Sequence, residues 1–154
     1  MAKIFIDGEA GTTGLQIQGR LQDRDDIDLL HLGEGRRKDT VARAEMLNEA
    51  DISILCLPED ASREAVALIE NDKARVIDAS IAYRIDPDWA YGFPEYQANQ
   101  RDLIASATRV SNPGCYACSS ISIIHPLVTR NLLPSDFPIT INAISGYSGG
   151  GKSL

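Results

Sequence analysis

The stretch KIFIDGEAGTTG, residues 3–14, joins a short apolar run to three glycines spaced as GxxGxxG. An apolar run that ends at glycine predicts a buried strand over residues 3–7 and a tight turn after it. A helix is expected next, capped by Thr12 or Thr13. At such a junction, glycines permit the turn, let backbone N–H groups approach a pyrophosphate, and allow close helix–strand packing. The stretch therefore predicts a dinucleotide-binding turn, although the spacing differs from GxGxxG and a turn that binds nothing is the alternative.

The rest of the chain continues the alternation of strand and helix. Apolar runs predict further strands at 27–32, 51–58 and 74–80, and helical patterns separate them at 41–50 and 61–70. Asp60 or Ser62 is expected to cap the second of these helices. This order is typical of a parallel sheet with right-handed crossovers.

Beyond residue 80 the pattern is less regular. The aromatic-rich residues 81–97 predict a long ordered loop. A helix, a strand and a long helix are expected after it, with Pro126 kinking or interrupting the long helix. PITINAIS, residues 138–145, predicts one more strand.

Composition limits the classes of function. The chain has 154 residues, 44% hydrophobic content and a formal net charge of -7, with its acidic residues scattered. This charge argues against non-specific binding to nucleic acid or to an anionic membrane. The N-terminus lacks the apolar length of a signal peptide, so we expect a cytoplasmic protein. Three cysteines, an odd number, suggest chemical rather than disulfide roles in that compartment.

The segment GEGRRKD, residues 33–39, follows the second predicted strand, where dinucleotide-binding proteins read the adenosine ribose. Glu34 there would suit the 2'-hydroxyl of NAD. Arg36, Arg37 and Lys38 place three cations where the 2'-phosphate of NADP would lie. The segment therefore favours NADP, and a solvated basic loop is the alternative.

The segment SNPGCYAC, residues 111–118, contains two cysteines three residues apart. A structural zinc site needs four ligands, and the rest of the chain offers too few suitable cysteines and histidines to complete one. No metal is therefore predicted. A thioredoxin-like pair fits the spacing. A single nucleophile at Cys115 fits the sharp Asn-Pro-Gly turn and a helix start, which can lower a thiol pKa. We favour the single nucleophile, with Cys118 packed between helices and Cys56 in the core.

The motifs GEAGTTG, CLPEDAS, VIDASIAYRI, YGFPEY, SNPGCY and SGYSGGGK occur in the order seen in the N-acetyl-gamma-glutamyl-phosphate reductases. The chain resembles this family over nearly its whole length, particularly the shorter second type. Aspartate-semialdehyde dehydrogenases share the architecture and the nucleophilic cysteine, and provide an alternative substrate. YGFPEY and SGYSGGGK are more similar to the former family.

The resemblance implies an α/β fold: a Rossmann-like, doubly wound, mostly parallel sheet over residues 1–112. Residues 113–154 would begin a second, truncated α+β domain for catalysis and dimerisation. The implied reaction is NADPH-dependent reduction of N-acetyl-gamma-glutamyl phosphate to the semialdehyde and phosphate, in arginine biosynthesis. Cys115 would form the thioester, and Asn112 and Lys152 would bind substrate. The implied cofactor-binding residues are Gly8, Gly11, Thr12, Thr13, Gly14, Arg36, Arg37, Ser62, Ser145, Gly149 and Gly150.

Two departures from the family pattern affect these expectations. Threonine is more usual at position 118, where this chain has cysteine. The family is also about twice as long, and its catalytic histidine lies in the second domain. We therefore expect an N-terminal fragment of a homo-oligomeric enzyme that binds NADP but lacks acid-base assistance worth about 10²- to 10⁴-fold. A dithiol oxidoreductase and a non-catalytic NADP-binding module remain alternatives.

Overall fold

Strands and helices alternate along most of the chain. A computed structural model describes residues 1–33, 35–146 and 149. In chain order the elements are β1 (Ala2–Asp7), α1 (Thr12–Leu21), β2 (Ile27–Leu30), α2 (Thr40–Glu49), β3 (Ile52–Leu55), α3 (Glu59–Ala67), β4 (Arg75–Asp78), β5 (Ala90–Tyr91), α4 (Gln100–Ser106), β6 (Arg109–Ser111) and α5 (Cys115–Thr129). The predicted α/β class is confirmed.

The six strands form one sheet in the order β2-β1-β3-β4-β6-β5, and every neighbouring pair is parallel. After β1 the chain first adds β2 on one side, then crosses to place β3 on the other side. Such a reversal of direction opens a crevice beyond the carboxyl ends of the strands, where ligands of open α/β sheets bind. The predicted Rossmann-like sheet is therefore confirmed, with its crevice at the ends of β1 and β3.

The core lies between this sheet and the helices that cover it. Phe5 of β1, Leu47 of α2, Leu55 of β3 and Val76 of β4 are at most 1% exposed and belong to one cluster. In β1, the four consecutive residues at positions 4–7 are all buried. Burial on both faces explains why this strand is a nearly continuous apolar run instead of an alternating pattern.

The aromatic-rich residues 81–97 form an ordered loop, as predicted. The rings of Tyr83 and Trp89 stack with their centroids 4.0 Å apart, and the Arg63 guanidinium lies over the Tyr83 ring at 5.2 Å. The loop also contains β5, which the sequence did not predict. Two residues are too few to produce a visible periodicity, so β5 depends on pairing with its neighbour β6.

Helix α5 follows the last strand of the sheet. It continues as one helix to Thr129, so of the kink or interruption predicted at Pro126 the interruption does not occur. A proline removes one backbone donor from a helix, and α5 accommodates this loss. In the part of the chain that the structure describes, no helix combines the length and apolar character needed to cross a membrane.

The strand predicted from PITINAIS is not formed. Residues 138–146 have no regular secondary structure, and Ile139, Ile141 and Ile144 are exposed. The alternation of apolar and polar residues fits a strand, but a strand also requires a hydrogen-bonded neighbour. No described strand pairs with these residues, which is why the prediction is wrong.

Candidate active site

The glycine turn connects β1 to α1 at the edge of the crevice. Gly8 has φ +93°, a backbone conformation that residues with a Cβ rarely adopt. A Cβ on Gly8 would also collide with the backbone carbonyl of Cys56 at the end of β3. The Gly11 N–H donates to the Gly8 carbonyl oxygen at 3.0 Å and closes the turn. The turn therefore requires glycine at position 8.

Gly14 lies in the first turn of α1 and is buried. A Cβ there would collide with the Gly8 carbonyl oxygen and would lie 2.7 Å from the Glu9 Cα. The helix can therefore pack this closely against the turn only with glycine at position 14. This close packing holds the N-terminus of α1, whose backbone N–H groups favour an anion, beside Gly8 and Glu9, which line the crevice. Residues 11–14 are not themselves among the lining residues.

The predicted side-chain caps of the two helices that follow β1 and β3 are wrong. Gly11, and not Thr12 or Thr13, is the N-cap of α1, and Pro58, and not Asp60 or Ser62, is the N-cap of α3. Neither helix has a side-chain cap. Thr12 and Thr13 are exposed in the first turn of α1. The helix-terminal N–H groups are consequently not occupied by a capping side chain, which suits a site for the phosphates of a dinucleotide.

The crevice has a volume of about 330 Å³. Gly8, Glu9, Arg37 and Lys38 are among its lining residues, so the structure brings the glycine turn and two of the predicted cations together. Arg36 is directed elsewhere and lies 3.8 Å from an Asp39 carboxylate oxygen and 3.7 Å from one of Glu45. Glu34, the alternative ribose-binding residue, lies outside the described residues.

Asp7 and Arg43, which both line the crevice, form an ion pair. Both Nε and Nη2 of Arg43 donate to Oδ2 of Asp7, at 3.1 and 2.8 Å, and both side chains are largely buried. This pair joins the carboxyl end of β1 to α2. The sequence alone does not reveal this ion pair, because the two residues are 36 positions apart and nothing in their local patterns relates them.

Ser62 is fully buried in α3. Its hydroxyl donates to Oδ1 of Asp78, while the Ser80 hydroxyl donates to Oδ2 of the same carboxylate at 2.6 Å. The neighbouring residues Ala61 and Glu64 line the crevice. The Ser62 hydroxyl therefore helps to satisfy a buried carboxylate, and its contact with a cofactor stays a prediction.

Cys115 is exposed and is the first residue of α5. The preceding Asn-Pro-Gly turn is attached to the sheet, since the Asn112 N–H donates to the Asp78 carbonyl oxygen at 2.7 Å. Because all strands are parallel, Cys115 lies at the same edge of the sheet as the glycine turn. Strands β1 and β6 are separated by β3 and β4, a distance of about 14 Å at the usual strand spacing.

The other two cysteines differ from Cys115 in their surroundings. Burial, followed by the nearby Asp78 and Asp7 carboxylates, raises the pKa of the Cys56 thiol to about 11. Cys56 is therefore a neutral thiol near pH 7 and a poor nucleophile. Cys118 is half-buried one turn beyond Cys115, and its N–H donates to the Gly114 carbonyl oxygen. Its exposure and its position at the start of α5 make Cys115 the candidate nucleophile among the three cysteines.

Arg84 is a site residue that the sequence analysis missed. Its Nε donates to the Asn112 carbonyl oxygen and its Nη2 to the Ala79 carbonyl oxygen, each at 3.2 Å. Its Nη1 lies 2.8 Å from where a Cβ of Gly114 would be, so the guanidinium packs against the residue preceding Cys115. Its hydrogen-bond partners are neutral carbonyls, and within the described ranges no carboxylate pairs with its positive charge.

The predicted residues near the end of the chain are only partly described. The Tyr116 hydroxyl donates to Ser145 Oγ at 2.7 Å, which brings Ser145 close to the start of α5. The Gly149 N–H donates to the Gly146 carbonyl oxygen at 3.0 Å. Gly150 and Lys152 lie outside the described residues. The roles of these four residues stay predictions.

Comparison with curated proteins confirms the resemblance seen in the motifs. An N-acetyl-gamma-glutamyl-phosphate reductase of Chelativorans sp. (strain BNC1) is 63% identical over 153 residues, which are 99% of this chain and 49% of that protein. An N-acetyl-gamma-glutamyl-phosphate reductase 2 of Nostoc sp. is 58% identical over 99% of this chain and 47% of its own length. The chain spans about half the length of the curated relatives it matches.

Solved structures and family models agree with the observed architecture. The aspartate semialdehyde dehydrogenase of Francisella tularensis has a TM-score of 0.64 at 18% identity, over 85% of this chain and 42% of that chain, which supports the fold alone. Residues 115–154 match the model of the semialdehyde dehydrogenase dimerisation domain. Residues 3–104, about two thirds of the chain, match the model of the semialdehyde dehydrogenase NAD-binding domain, and the chain therefore belongs to the semialdehyde dehydrogenase family.

Proposed function

We propose that this chain carries the NADPH-binding and thioester-forming residues of an N-acetyl-gamma-glutamyl-phosphate reductase. The observation that carries the proposal is the exposed Cys115 at the start of a helix, on the same edge of the sheet as the glycine turn. The names of relatives with 58–63% identity support the choice of substrate. We place the boundary between the nucleotide-binding and catalytic parts between residues 112 and 113.

The crevice fits a dinucleotide. Gly8 and Gly14 let the turn pack closely against the end of β3 and the start of α1, where a Cβ would collide with backbone atoms, and α1 begins there without a side-chain cap. Arg37 and Lys38 in the crevice lining favour a phosphate on the adenosine ribose, and hence NADP over NAD. The cofactor supplies the hydride for reduction. This chain's residues bind it and hold it over the carboxyl ends of the strands.

The chemistry begins at the Cys115 sulfur. The thiolate attacks the acyl carbon of the acyl phosphate, the carbon–oxygen bond to the phosphoryl group breaks, and phosphate leaves with that electron pair. The product on Cys115 is a thioester. Bound in the crevice, NADPH would supply the hydride that reduces this thioester, and the Cys115 sulfur would leave as the thiolate when the semialdehyde is released. We assign Asn112 and the backbone N–H groups at the start of α5 to the stabilisation of the oxyanion that develops during the attack.

We infer that the Arg84 guanidinium and the backbone N–H groups at the N-terminus of α5 stabilise the negative charge of the departing phosphate. The guanidinium is fixed by the Asn112 and Ala79 carbonyls against the residue that precedes the nucleophile. Because two of its N–H groups are held by these carbonyls, the guanidinium is fixed, and its remaining N–H groups can bind an anion without reorganisation. We therefore assign Arg84 to the phosphoryl group of the substrate.

The proposed function is tested by acylation without NADPH, a half-reaction that requires only the nucleophile and the phosphate site. We expect N-acetyl-gamma-glutamyl phosphate to release about one phosphate per chain and to leave an acyl adduct on Cys115. Phosphate release is measured against spontaneous hydrolysis, and the adduct is located by mass spectrometry. Aspartyl phosphate is the competing substrate. An adduct on another residue, or faster acylation by aspartyl phosphate, would contradict the assignment.

The Arg84→Gln variant tests the phosphate site. We expect acylation at subsaturating acyl phosphate to slow by about 10- to 100-fold, because a fixed charged donor to the leaving group is lost. Inorganic phosphate should protect Cys115 of the unchanged protein from alkylation but fail to protect the variant, an effect that a merely structural role would not produce.

The matched control is Arg63→Gln. Arg63 also donates to a backbone carbonyl in this region, that of Ala82, but it pairs with Glu59 and lies over Tyr83. We expect this variant to retain both the acylation rate and the protection by phosphate. Equal effects of the two replacements would contradict a specific role for Arg84.

The assembly and location of the protein follow from the same proposal. We propose a homo-oligomer, supported by the match of residues 115–154 to a family model described as a dimerisation domain. We propose a cytoplasmic location, where NADPH-dependent biosynthesis takes place. The net charge of -7 supports a small-molecule substrate and disfavours nucleic acid as a partner.

A further inference from the structure

Glu9 is the most enclosed member of a charged cluster at the ribose end of the crevice. Its side chain is 15% exposed, whereas His31 is 49% and Arg37 is 51% exposed. Oε2 of Glu9 lies 3.0 Å from Nδ1 of His31, and Oε1 lies 3.8 Å from Nε of Arg37. His31 directly follows β2, so the cluster joins the glycine turn to the strand end beside which the adenosine ribose binds.

The two contacts of Glu9 differ in kind. A carboxylate can only accept, so Nδ1 of His31 carries the proton and donates. The separation of 3.8 Å from Arg37 is too long for a hydrogen bond and leaves an ion pair without directional constraint. Arg37 is half exposed and can turn toward another anion, while the carboxylate stays anchored by His31 and by the turn. The Glu9 carboxylate beside Arg37 is therefore held in place by the protein.

The other carboxylates of the crevice do not share this position. Asp7 is occupied by the two hydrogen bonds from Arg43. Glu64 lines the crevice from α3, and within the described residues it makes no ion pair with Arg37. Among the crevice carboxylates that the structure describes, Glu9 is thus the one that faces the cation assigned to the 2'-phosphate.

We propose that Glu9 is a specificity-determining residue that weakens binding of the 2'-phosphate and so limits the preference for NADPH over NADH. This inference rests on the proposed function, which places the adenosine ribose at Arg37. A 2'-phosphate bound by Arg37 competes with the Glu9 carboxylate for the same guanidinium, and the like charges of the two anions repel each other. A 2'-hydroxyl in the same place can instead donate to that carboxylate. Arg37 therefore favours binding of the 2'-phosphate, whereas Glu9 disfavours it.

The Glu9→Gln variant tests this inference. Glutamine keeps the shape of the side chain and an oxygen that accepts from His31, but it removes the charge. We expect the ratio of NADPH to NADH affinity, measured by isothermal titration calorimetry, to rise about tenfold, mainly through tighter NADPH binding. The nucleotides 2',5'-ADP and 5'-AMP should show the same change, since they differ only in the 2'-phosphate.

Two further variants make the test specific. Glu45→Gln removes a carboxylate that pairs with the neighbouring cation Arg36 outside the crevice lining, and should leave the ratio within about twofold. In an Arg37→Gln background, Glu9→Gln should change the ratio less than it does alone, because part of its effect arises from freeing Arg37. A Glu45 effect as large as that of Glu9 would overturn the inference, since it would reflect net charge alone.

Failure of this inference is distinguishable from failure of the proposed function. If the unchanged protein binds NADPH but Glu9→Gln leaves the ratio unchanged or lowers it, Glu9 does not compete with the phosphate and the inference is overturned. If the unchanged protein binds neither nucleotide nor 2',5'-ADP, the proposed dinucleotide crevice itself is wrong, and the inference fails with it.

Discussion

Replacing Cys115 by serine is expected to slow phosphate release from N-acetyl-gamma-glutamyl phosphate by about 1,000-fold or more. Within the described residues, no basic side chain is hydrogen-bonded to position 115 that could activate a serine hydroxyl, and an alcohol without such a base is a much weaker nucleophile than a cysteine sulfur. Phosphate release and the mass of the protein adduct measure the loss. Binding of NADPH should remain within about twofold, since the glycine turn and the crevice do not include residue 115.

Cys118→Ser is the matched control, because it makes the same atomic change one helical turn further along α5. We expect it to retain the acylation rate within about twofold. A dithiol oxidoreductase would instead lose its activity equally on replacement of either cysteine, with a reversible disulfide in the unchanged protein. Comparable losses in the two variants, or acylation that survives Cys115→Ser, would remove the basis of the proposed function.

The glycine turn could be predicted from the sequence because its signal is local. The apolar run of β1, the three glycines and the start of α1 lie within 14 residues, and each restricts the local backbone. Cys115 was found for the same reason, since Asn-Pro-Gly marks a turn immediately before a helical pattern. The glycine turn and Cys115, the two centres of the candidate site, could therefore both be predicted from short segments with strong local constraints.

The polar contacts that complete the site were not predictable in this way. Arg84 reaches the Asn112 carbonyl across 28 residues, and Glu9 meets His31 across 22. These pairs meet only because β4 is adjacent to β6 and β1 to β2 in the sheet. Strand order is a property of the whole fold, so no local pattern around Arg84 or Glu9 reveals the partner.

The predicted strand at residues 138–145 failed for a related reason. Isoleucine alternates with polar residues at positions 139–142, which is typical of a strand. Formation of a strand also depends on a neighbouring strand in the right register, which periodicity does not report. Exposure of Ile139 and Ile141 follows from the absence of such a partner among the described residues.

Replacing Gly14 by alanine is expected to lower the free energy of unfolding by about 3 kcal/mol. The added methyl group would meet the Gly8 carbonyl oxygen and the Glu9 backbone, which cannot move like the end of a flexible side chain. The turn or the helix must therefore shift. For a chain of this size the corresponding fall in Tm is about 10 °C, measurable by circular dichroism. Urea denaturation supplies the free energy.

Gly19→Ala is the matched control on the same helix. Gly19 is exposed in α1, and nothing lies within 4 Å of the position of an added Cβ. Alanine there should raise the free energy of unfolding by up to about 1 kcal/mol, because glycine is the poorer helix former. Opposite signs for the two substitutions would show that position 14 is constrained by the turn. A loss at both positions would instead indicate that α1 tolerates no added methyl group, and the special packing at the dinucleotide turn would lose its support.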